Sequence, residues 1–340
     1  MIRDAAELIR PYVIRTPTLP MGRLSELLGL PVIGKFELLQ HTGAFKARGA
    51  FHKMLRLSGA ERAGGVVAVS GGNHGLAVAY AARELGIAAT VIMPSTSAIT
   101  SVQRARDDGA EVILTDTIGE AFAHGLGEVA VGKVIIHPFD DPAVIAGQGT
   151  LALELYADAP ETTDVIASVG GGGMIMGVAT ALKALNPKIR IWGVETLGAD
   201  AMTQALQAGE PVALDHLSSI AITLGAPSVS ARTLAGVREL VEEIVLVSDE
   251  EAVRSIEVLS QTSKIITEPA AACTWAAALR LRDRLPADAR VALVLCGGNA
   301  SLDDINRWRS QFPAGSAAGS AAGSARGSEP ASAAAPILGE

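Results

Sequence analysis

The stretch GVVAVSGGNHGLAVAYAARELGIAATVIMP, residues 65–94, contains a strand, a glycine-rich turn, a helix and a second strand in direct succession. Residues 65–70 form a short β-branched run, and residues 89–94 form another strand-like run. Between them, residues 74–86 have the apolar spacing of a helix and end at a glycine. A helix that joins two such strands predicts a parallel pair in an α/β fold.

The same alternation of strands and helices continues along the chain. Because the carboxyl ends of parallel strands share one edge of a sheet, we expect two open parallel-sheet lobes with a ligand between them at those ends. Further strands are predicted at residues 111–116, 133–138, 164–170, 189–195, 243–249 and 290–298, with helical segments between them.

Composition restricts the classes of function. Hydrophobic residues make up 49% of the 340 residues but aromatic residues only 4%, which suits buried parallel strands under alanine-rich helices. A net charge of −8 and the lack of a basic run argue against nucleic-acid and membrane surfaces. Cys273 and Cys296 are far apart in sequence, which favours free thiols in a reducing cytoplasm. Residues 313–340 are a repetitive Ala/Gly/Ser-rich tail, expected to be flexible.

A run of four glycines marks the first candidate site, in SVGGGGMIMG, residues 168–177. These glycines leave a strand and enter a helix, where backbone N–H groups can converge on a phosphate. A tight turn without a ligand is the simpler alternative. The GxGxxG spacing of dinucleotide folds does not fit, although Glu195 follows at the distance of a ribose-binding acid.

Two other stretches carry candidate groups. In VSGGNHGLAV, residues 69–78, small residues precede a helix, which suits a carboxylate, although Asn73 serves equally as a helix cap. Lys46 lies among small and apolar residues, and desolvation would make its amine nucleophilic. Its alternative is a solvated lysine on a first helical turn. Cys296 ends a strand before two glycines and is either a small core residue or a neighbour of a cofactor ring.

A phosphate cradle, a carboxylate cradle and a candidate amine nucleophile together indicate pyridoxal phosphate chemistry on an amino acid. From about residue 10 to 312 the chain resembles the fold-type-II pyridoxal-phosphate enzymes, whose fold is that of the tryptophan synthase β subunit, and within them the serine/threonine dehydratase branch that includes serine racemase. KFELLQHTGAFKARGA, SGGNHG and GGGGM are similar to that family's lysine segment, asparagine loop and phosphate loop. We therefore divide the chain into a large cofactor-binding domain, residues 1–64 and 146–312, and a small domain, residues 65–145.

The resemblance implies a role for each matching residue. Lys46 would form the Schiff base with the cofactor, Phe45 would pack on its ring, and Asn73 would bond its phenolic oxygen. Cys296 would lie against the pyridine nitrogen. The remaining assignments are phosphate binding by Gly170, Gly171, Gly172, Gly173 and Met174, and substrate-carboxylate binding by Ser70, Gly71, Asn73 and His74.

Some positions depart from the family pattern. Ala44 replaces a serine of the lysine segment, and Gly71 replaces the serine thought to be the second base of serine racemase. The family's metal site corresponds to the acid Glu195, the carbonyl of Ala199 and often an acid where this chain has Ala201. That alanine disfavours a divalent ion and leaves a monovalent cation at Glu195 and Ala199 as the prediction.

The resulting hypothesis is an α,β-elimination. Lys46, once displaced by the substrate amine, would act as general base at Cα, the β-hydroxyl would leave, and a 2-keto acid and ammonia would result. Threonine, serine, 3-hydroxyaspartate and phenylserine remain open as substrates. The alternatives are a racemase or β-replacement synthase on this fold, a nicotinamide-dependent oxidoreductase, and a catalytically inactive ligand sensor. The family resemblance also implies a homodimer or homotetramer.

Overall fold

The computed structural model describes residues 1–313, so nearly all of the predicted tail lies outside the described residues. Two β-sheets with helices packed around them form the described part of the chain. The strands are β1 (Thr18–Pro20), β2 (Val32–Lys35), β3 (Val66–Val69), β4 (Ala89–Pro94), β5 (Glu111–Thr115), β6 (Val134–Ile135), β7 (Asp164–Ser168), β8 (Arg190–Thr196), β9 (Glu243–Val247) and β10 (Val291–Val294).

The helices follow the strands in the alternation that the sequence predicts. They are α1 (Ile2–Ile9), α2 (Gly22–Leu28), α3 (Lys46–Leu55), α4 (Gly59–Gly64), α5 (Asn73–Leu85), α6 (Ile99–Asp107), α7 (Ile118–Ala130), α8 (Pro142–Asp158), α9 (Gly173–Leu185), α10 (Ala201–Ala208), α11 (Ala231–Leu240), α12 (Asp249–Ser263), α13 (Pro269–Leu281) and α14 (Leu302–Gln311). Within residues 1–313, none of these helices has the length and apolar character needed to cross a membrane.

The smaller sheet has the strand order β5-β4-β3-β6, and all of its pairings are parallel. The larger sheet has the order β1-β2-β10-β7-β8-β9, and it is parallel except at β1. The predicted parallel sheets are thus confirmed, with two further strands: β2, which is parallel to β10, and the antiparallel edge strand β1. The edge strand has three residues and ends in Pro20, which lacks an N–H group and is therefore suited to a sheet edge. The exact domain boundaries remain a prediction.

The central strands are short apolar runs because both faces of each sheet are covered. Every residue of β3, β7 and β10 is buried, as expected for parallel strands between helices. Alanines of α13 pack below the larger sheet, where small side chains allow the helix to approach closely. The carboxyl ends of β3, β7 and β10 consequently lie on rigid elements, and the loops that follow them form the candidate site.

A cluster of four charged side chains, called here the buried ion cluster, holds α3 in place. It consists of Lys35, Glu37, Arg48 and Glu154. Arg48 donates from Nε and Nη2 to the Glu37 carboxylate at 2.8 and 2.9 Å, and neither side chain is exposed to solvent. Lys35 donates to Glu154 at 2.6 Å, so the cluster contains two positive and two negative charges. Because Arg48 belongs to the first turn of α3, the cluster fixes the start of that helix.

Candidate active site

A pocket lies at the carboxyl ends of β3, β7 and β10. The structure brings together in this pocket all of the residues predicted to bind a cofactor, from both sheets: Phe45, Lys46, Asn73, Gly170, Gly171, Gly172, Gly173, Met174 and Cys296. Their individual roles remain predictions.

The glycine loop, residues 170–173, connects β7 to α9. Among the hydrogen bonds of residues 1–313, none uses a backbone N–H group of residues 170–175 as donor. These groups lie at the start of a 13-residue helix, where its dipole adds positive potential. An array of unpaired donors of this kind is suited to a phosphate.

Close packing explains why the loop consists of glycines. A Cβ on Gly170 would lie 2.8 Å from the carbonyl oxygen of Leu224, and one on Gly173 would lie 2.8 Å from the Cα atom of Phe139. Gly172 has a φ of +88°, which a side chain would strain. Larger residues would push the backbone away from these neighbours and open the array of donors.

The asparagine loop, residues 70–75, connects β3 to α5. The backbone N–H groups of Gly71, Asn73, His74 and Gly75 have no hydrogen-bond partner among the described residues. This arrangement fits the predicted carboxylate cradle. The His74 imidazole, however, is buried and donates from Nε2 to the carbonyl oxygen of Ile136 at 2.6 Å. Burial lowers the pKa of His74 to about 3, so only its backbone N–H is available to a substrate.

Lys46 is the first residue of α3, and its position is set by Cys296, which lies just after β10. The Phe45 N–H donates to the carbonyl oxygen of Cys296 at 3.0 Å, and the Lys46 Nζ donates to that of Pro138 at 2.8 Å. Burial lowers the pKa of the Lys46 amine to about 8, although the neighbouring Cys296 and Glu268 oppose this shift. A larger neutral fraction makes the amine a better nucleophile and base near neutral pH.

Cys296 is a neutral thiol in this environment. Burial and, to a smaller extent, the nearby Glu268 raise its pKa to about 12. The Ser168 hydroxyl donates to the Cys296 sulfur at 3.4 Å, while the thiol lies 3.6 Å from the carbonyl oxygen of Ala270. Within residues 1–313 Cys273 and Cys296 are both free and buried, which agrees with the expectation of two free thiols.

The sequence analysis missed Glu268, which lines the pocket, and Asn299, which contacts Asn73. Glu268 accepts hydrogen bonds from the Asn73 amide and the Thr223 hydroxyl, each at 2.8 Å. Asn299 donates to the Asn73 side-chain oxygen at 2.7 Å. These contacts fix the Asn73 amide and leave one of its two N–H groups for a ligand. In the sequence, Glu268 and Pro269 indicate only the start of a helix, which the structure shows as α13.

Glu195, the acid of the predicted cation site, accepts three hydrogen bonds in this structure. The Glu195 carboxylate caps α10, accepting from the backbone N–H groups of Met202 and Thr203 at 2.9 and 2.8 Å. The Thr203 hydroxyl donates to it as well, at 2.6 Å. Burial raises the pKa of Glu195 to about 7 despite these bonds. No group of three or more His, Cys, Asp or Glu side chains in residues 1–313 is arranged to hold a metal. A monovalent cation at Glu195 and Ala199 remains a prediction.

The pocket fits pyridoxal phosphate. Its unpaired N–H array suits the phosphate, its amine suits the aldehyde, and its neutral thiol suits an unprotonated ring nitrogen. In addition, the Oε2 atom of Glu268 is buried without a hydrogen-bond partner among the described residues. Such an atom within a pocket indicates that a polar ligand completes the site.

Comparison with known proteins gives the same result. Residues 9–297 match the family model described as pyridoxal-phosphate dependent enzyme. The chain is 38% identical over 308 residues to an L-threonine ammonia-lyase of Thermotoga maritima, covering 90% of the chain and 76% of that protein. It is 39% identical over 293 residues to a phenylserine dehydratase of Ralstonia pickettii, covering 86% and 90%. Maize serine racemase superposes with a TM-score of 0.86 at 34% identity, covering 92% and 95%.

Proposed function

The chain belongs to the pyridoxal-phosphate-dependent enzymes, and from this membership we propose that it is a dehydratase of hydroxy amino acids. It converts L-threonine or L-serine to a 2-keto acid and ammonia by α,β-elimination. The observation that carries the proposal is the position of the Lys46 amine. It lies in one pocket with the glycine loop, which can hold a phosphate, and with Asn73 of the asparagine loop.

When bound, pyridoxal phosphate supplies an aldehyde that reacts with amines and a conjugated ring that delocalises negative charge from Cα. The N–H groups of residues 170–175 would hold its phosphate, and Phe45 and Asn73 would hold its ring. Glu268 and Asn299 orient the Asn73 amide for this contact.

The chain's own residues then bind the substrate and move one proton. The N–H groups of the asparagine loop bind the α-carboxylate. The Lys46 amine, with its pKa lowered to about 8 by burial, removes the proton from Cα as general base. Elimination follows when the β-hydroxyl leaves with the bonding pair and takes up the proton from the protonated Lys46 amine, so that it departs as water. Hydrolysis of the released enamine by water then gives the 2-keto acid and ammonia. Cys296 remains a neutral thiol and does not protonate the ring nitrogen, which favours prompt loss of the β-group over transamination.

The test is a substrate panel scored by release of 2-keto acid. Threonine and serine are expected to react, and 3-hydroxyaspartate and phenylserine show how large a β-substituent the pocket accepts. A Lys46→Ala variant is the control and should release none. If the holoprotein inverts serine without forming keto acid, it is a racemase on the same fold. If no hydroxy amino acid reacts, the proposal is wrong.

The proposal includes assembly, location and a cation. A homodimer or homotetramer is expected from the family resemblance, and light scattering after size-exclusion chromatography measures it. We place the protein in the cytoplasm, which is supported by its two free, buried thiols. A monovalent cation at Glu195 and Ala199 would make keto acid release higher in potassium or sodium salts than in a tetramethylammonium salt.

A further inference from the structure

Gly71 of the asparagine loop has no side chain, but the space beside it is filled. A Cβ on Gly71 would overlap the hydroxyl oxygen of Ser97, and it would lie 3.0 Å from the Ser97 Cβ and 3.4 Å from the Cδ of Pro94. Ser97 follows β4, which pairs in parallel with β3. The loops after these two strands therefore meet at one edge of the smaller sheet, and Ser97 reaches the position that a residue-71 side chain would take.

The Ser97 hydroxyl has no hydrogen-bond partner within residues 1–313, although its backbone N–H donates to the carbonyl oxygen of Pro94 at 2.9 Å. The side chain is half-buried. The next loop residue, Gly72, faces the pocket: a Cβ there would lie 3.4 Å from a methyl carbon of Thr223, which lines the pocket. An unpaired hydroxyl thus lies beside Gly71, whose backbone N–H is also unpaired, in the loop where the proposed function requires a carboxylate to bind.

We propose that Ser97 is a substrate-binding residue whose hydroxyl donates a hydrogen bond to the α-carboxylate of the amino acid. This inference rests on the proposed function. The asparagine loop provides the backbone donors, and the loop after β4 provides the side-chain donor that Gly71 lacks. Positions 71 and 97 consequently share a single side-chain volume, which can hold one hydroxyl but not two.

The first experiment measures amino-acid binding to the holoprotein by calorimetry. L-Alanine has no β-hydroxyl to eliminate, and L-alaninamide also lacks the carboxylate. Ser97→Ala should weaken alanine binding about ten-fold or more, as expected for a hydrogen bond to a charged group, and leave alaninamide unaffected. With threonine, KM should rise by a similar factor while kcat changes little. Ser95→Ala, an exposed serine of the same loop, is the matched control and should change neither. Equal weakening of both ligands would overturn the proposal.

The second experiment moves the hydroxyl. Gly71→Ser alone should lower amino-acid affinity, since the new side chain overlaps Ser97. Combining it with Ser97→Gly should restore affinity to within about three-fold of the wild type, because one hydroxyl then occupies the shared volume. Gly71→Ala with Ser97→Gly fills the same volume without a hydroxyl and should remain weak.

The visible spectrum of the bound cofactor and the melting temperature report whether each variant is folded. The decisive comparison is between two double variants, Gly71→Ala with Ser97→Gly and Gly71→Ser with Ser97→Gly. If both bind alanine equally well, the hydroxyl is irrelevant and the inference fails. Failure of the proposed function is distinct, because the wild-type protein itself would then release no keto acid from any hydroxy amino acid.

Discussion

Replacing Arg48 by methionine should destabilise the protein far more than an equivalent change at the surface. Methionine keeps most of the length of the side chain but removes its charge and five donors. Glu37 would then be fully buried without its partner, and the buried ion cluster would change from neutral to a net charge of −1. Breaking a buried ion pair from one side typically costs about 3–5 kcal/mol of unfolding free energy.

The chain contains a matched control in the pair between Arg280 and Glu251. Its geometry is also bidentate, at 2.6 and 2.7 Å, but the side chains are 49% and 34% exposed. Because solvent screens such a pair, Arg280→Met should lower the unfolding free energy by only about 0–1 kcal/mol. The double variant Arg48→Met with Glu37→Gln restores neutrality, since Lys35 and Glu154 remain paired, and it should recover part of the loss.

Urea denaturation of the apoprotein, followed by circular dichroism, measures these differences. Burial raises the pKa of Glu37, but Arg48 and Lys35 outweigh it, so the folded pKa lies below the unfolded one. Glu37 therefore stabilises the wild type above pH of about 4.3, and this contribution is lost as the pH falls through the lower folded pKa. Without Arg48, burial dominates and raises the folded pKa. The difference in unfolding free energy between the wild type and Arg48→Met should therefore become smaller in acid. If Arg48→Met and Arg280→Met lose the same unfolding free energy, the reasoning is refuted.

Three further predictions concern the pocket. Apoprotein should take up pyridoxal phosphate at a rate that rises through pH of about 8, since burial lowers the pKa of Lys46 to that value; a midpoint near 10 in an absorbance assay would contradict this. Cys296→Asp should increase side products relative to keto acid, because a carboxylate can hold the ring nitrogen protonated; unchanged partitioning by chromatography would count against the role of the thiol. Gly173→Ala should weaken cofactor binding about ten-fold or more by displacing the backbone of Phe139, whereas Gly59→Ala, which meets nothing within 4 Å, should not; fluorescence titration compares them.

Much of the fold was predictable because its signals are local. The β-branched run of β3, the helical spacing of α5 and the strand-like run of β4 follow one another within residues 65–94, and the structure confirms each of them. The strands β1 and β2 were not predicted, since three or four residues are too few for a periodic pattern. The pairing between them depends on a sheet edge that exists only after folding.

Some residues of the candidate site were predictable from local sequence, and others were not. The local sequence identifies Lys46, Asn73 and the glycine loop as candidate site residues, because glycines before a helix and a lysine among small residues are unusual patterns. No local sequence pattern identifies Glu268 or Ser97 as a site residue. Glu268 is 195 residues from Asn73 in sequence and acts through a contact across the pocket, and Ser97 matters because Gly71 leaves it room. Local order along the chain determined most of the strands, the helices and the glycine-rich turns. Tertiary packing decided which distant side chains complete the pocket, since burial and hydrogen bonding depend on neighbours in space.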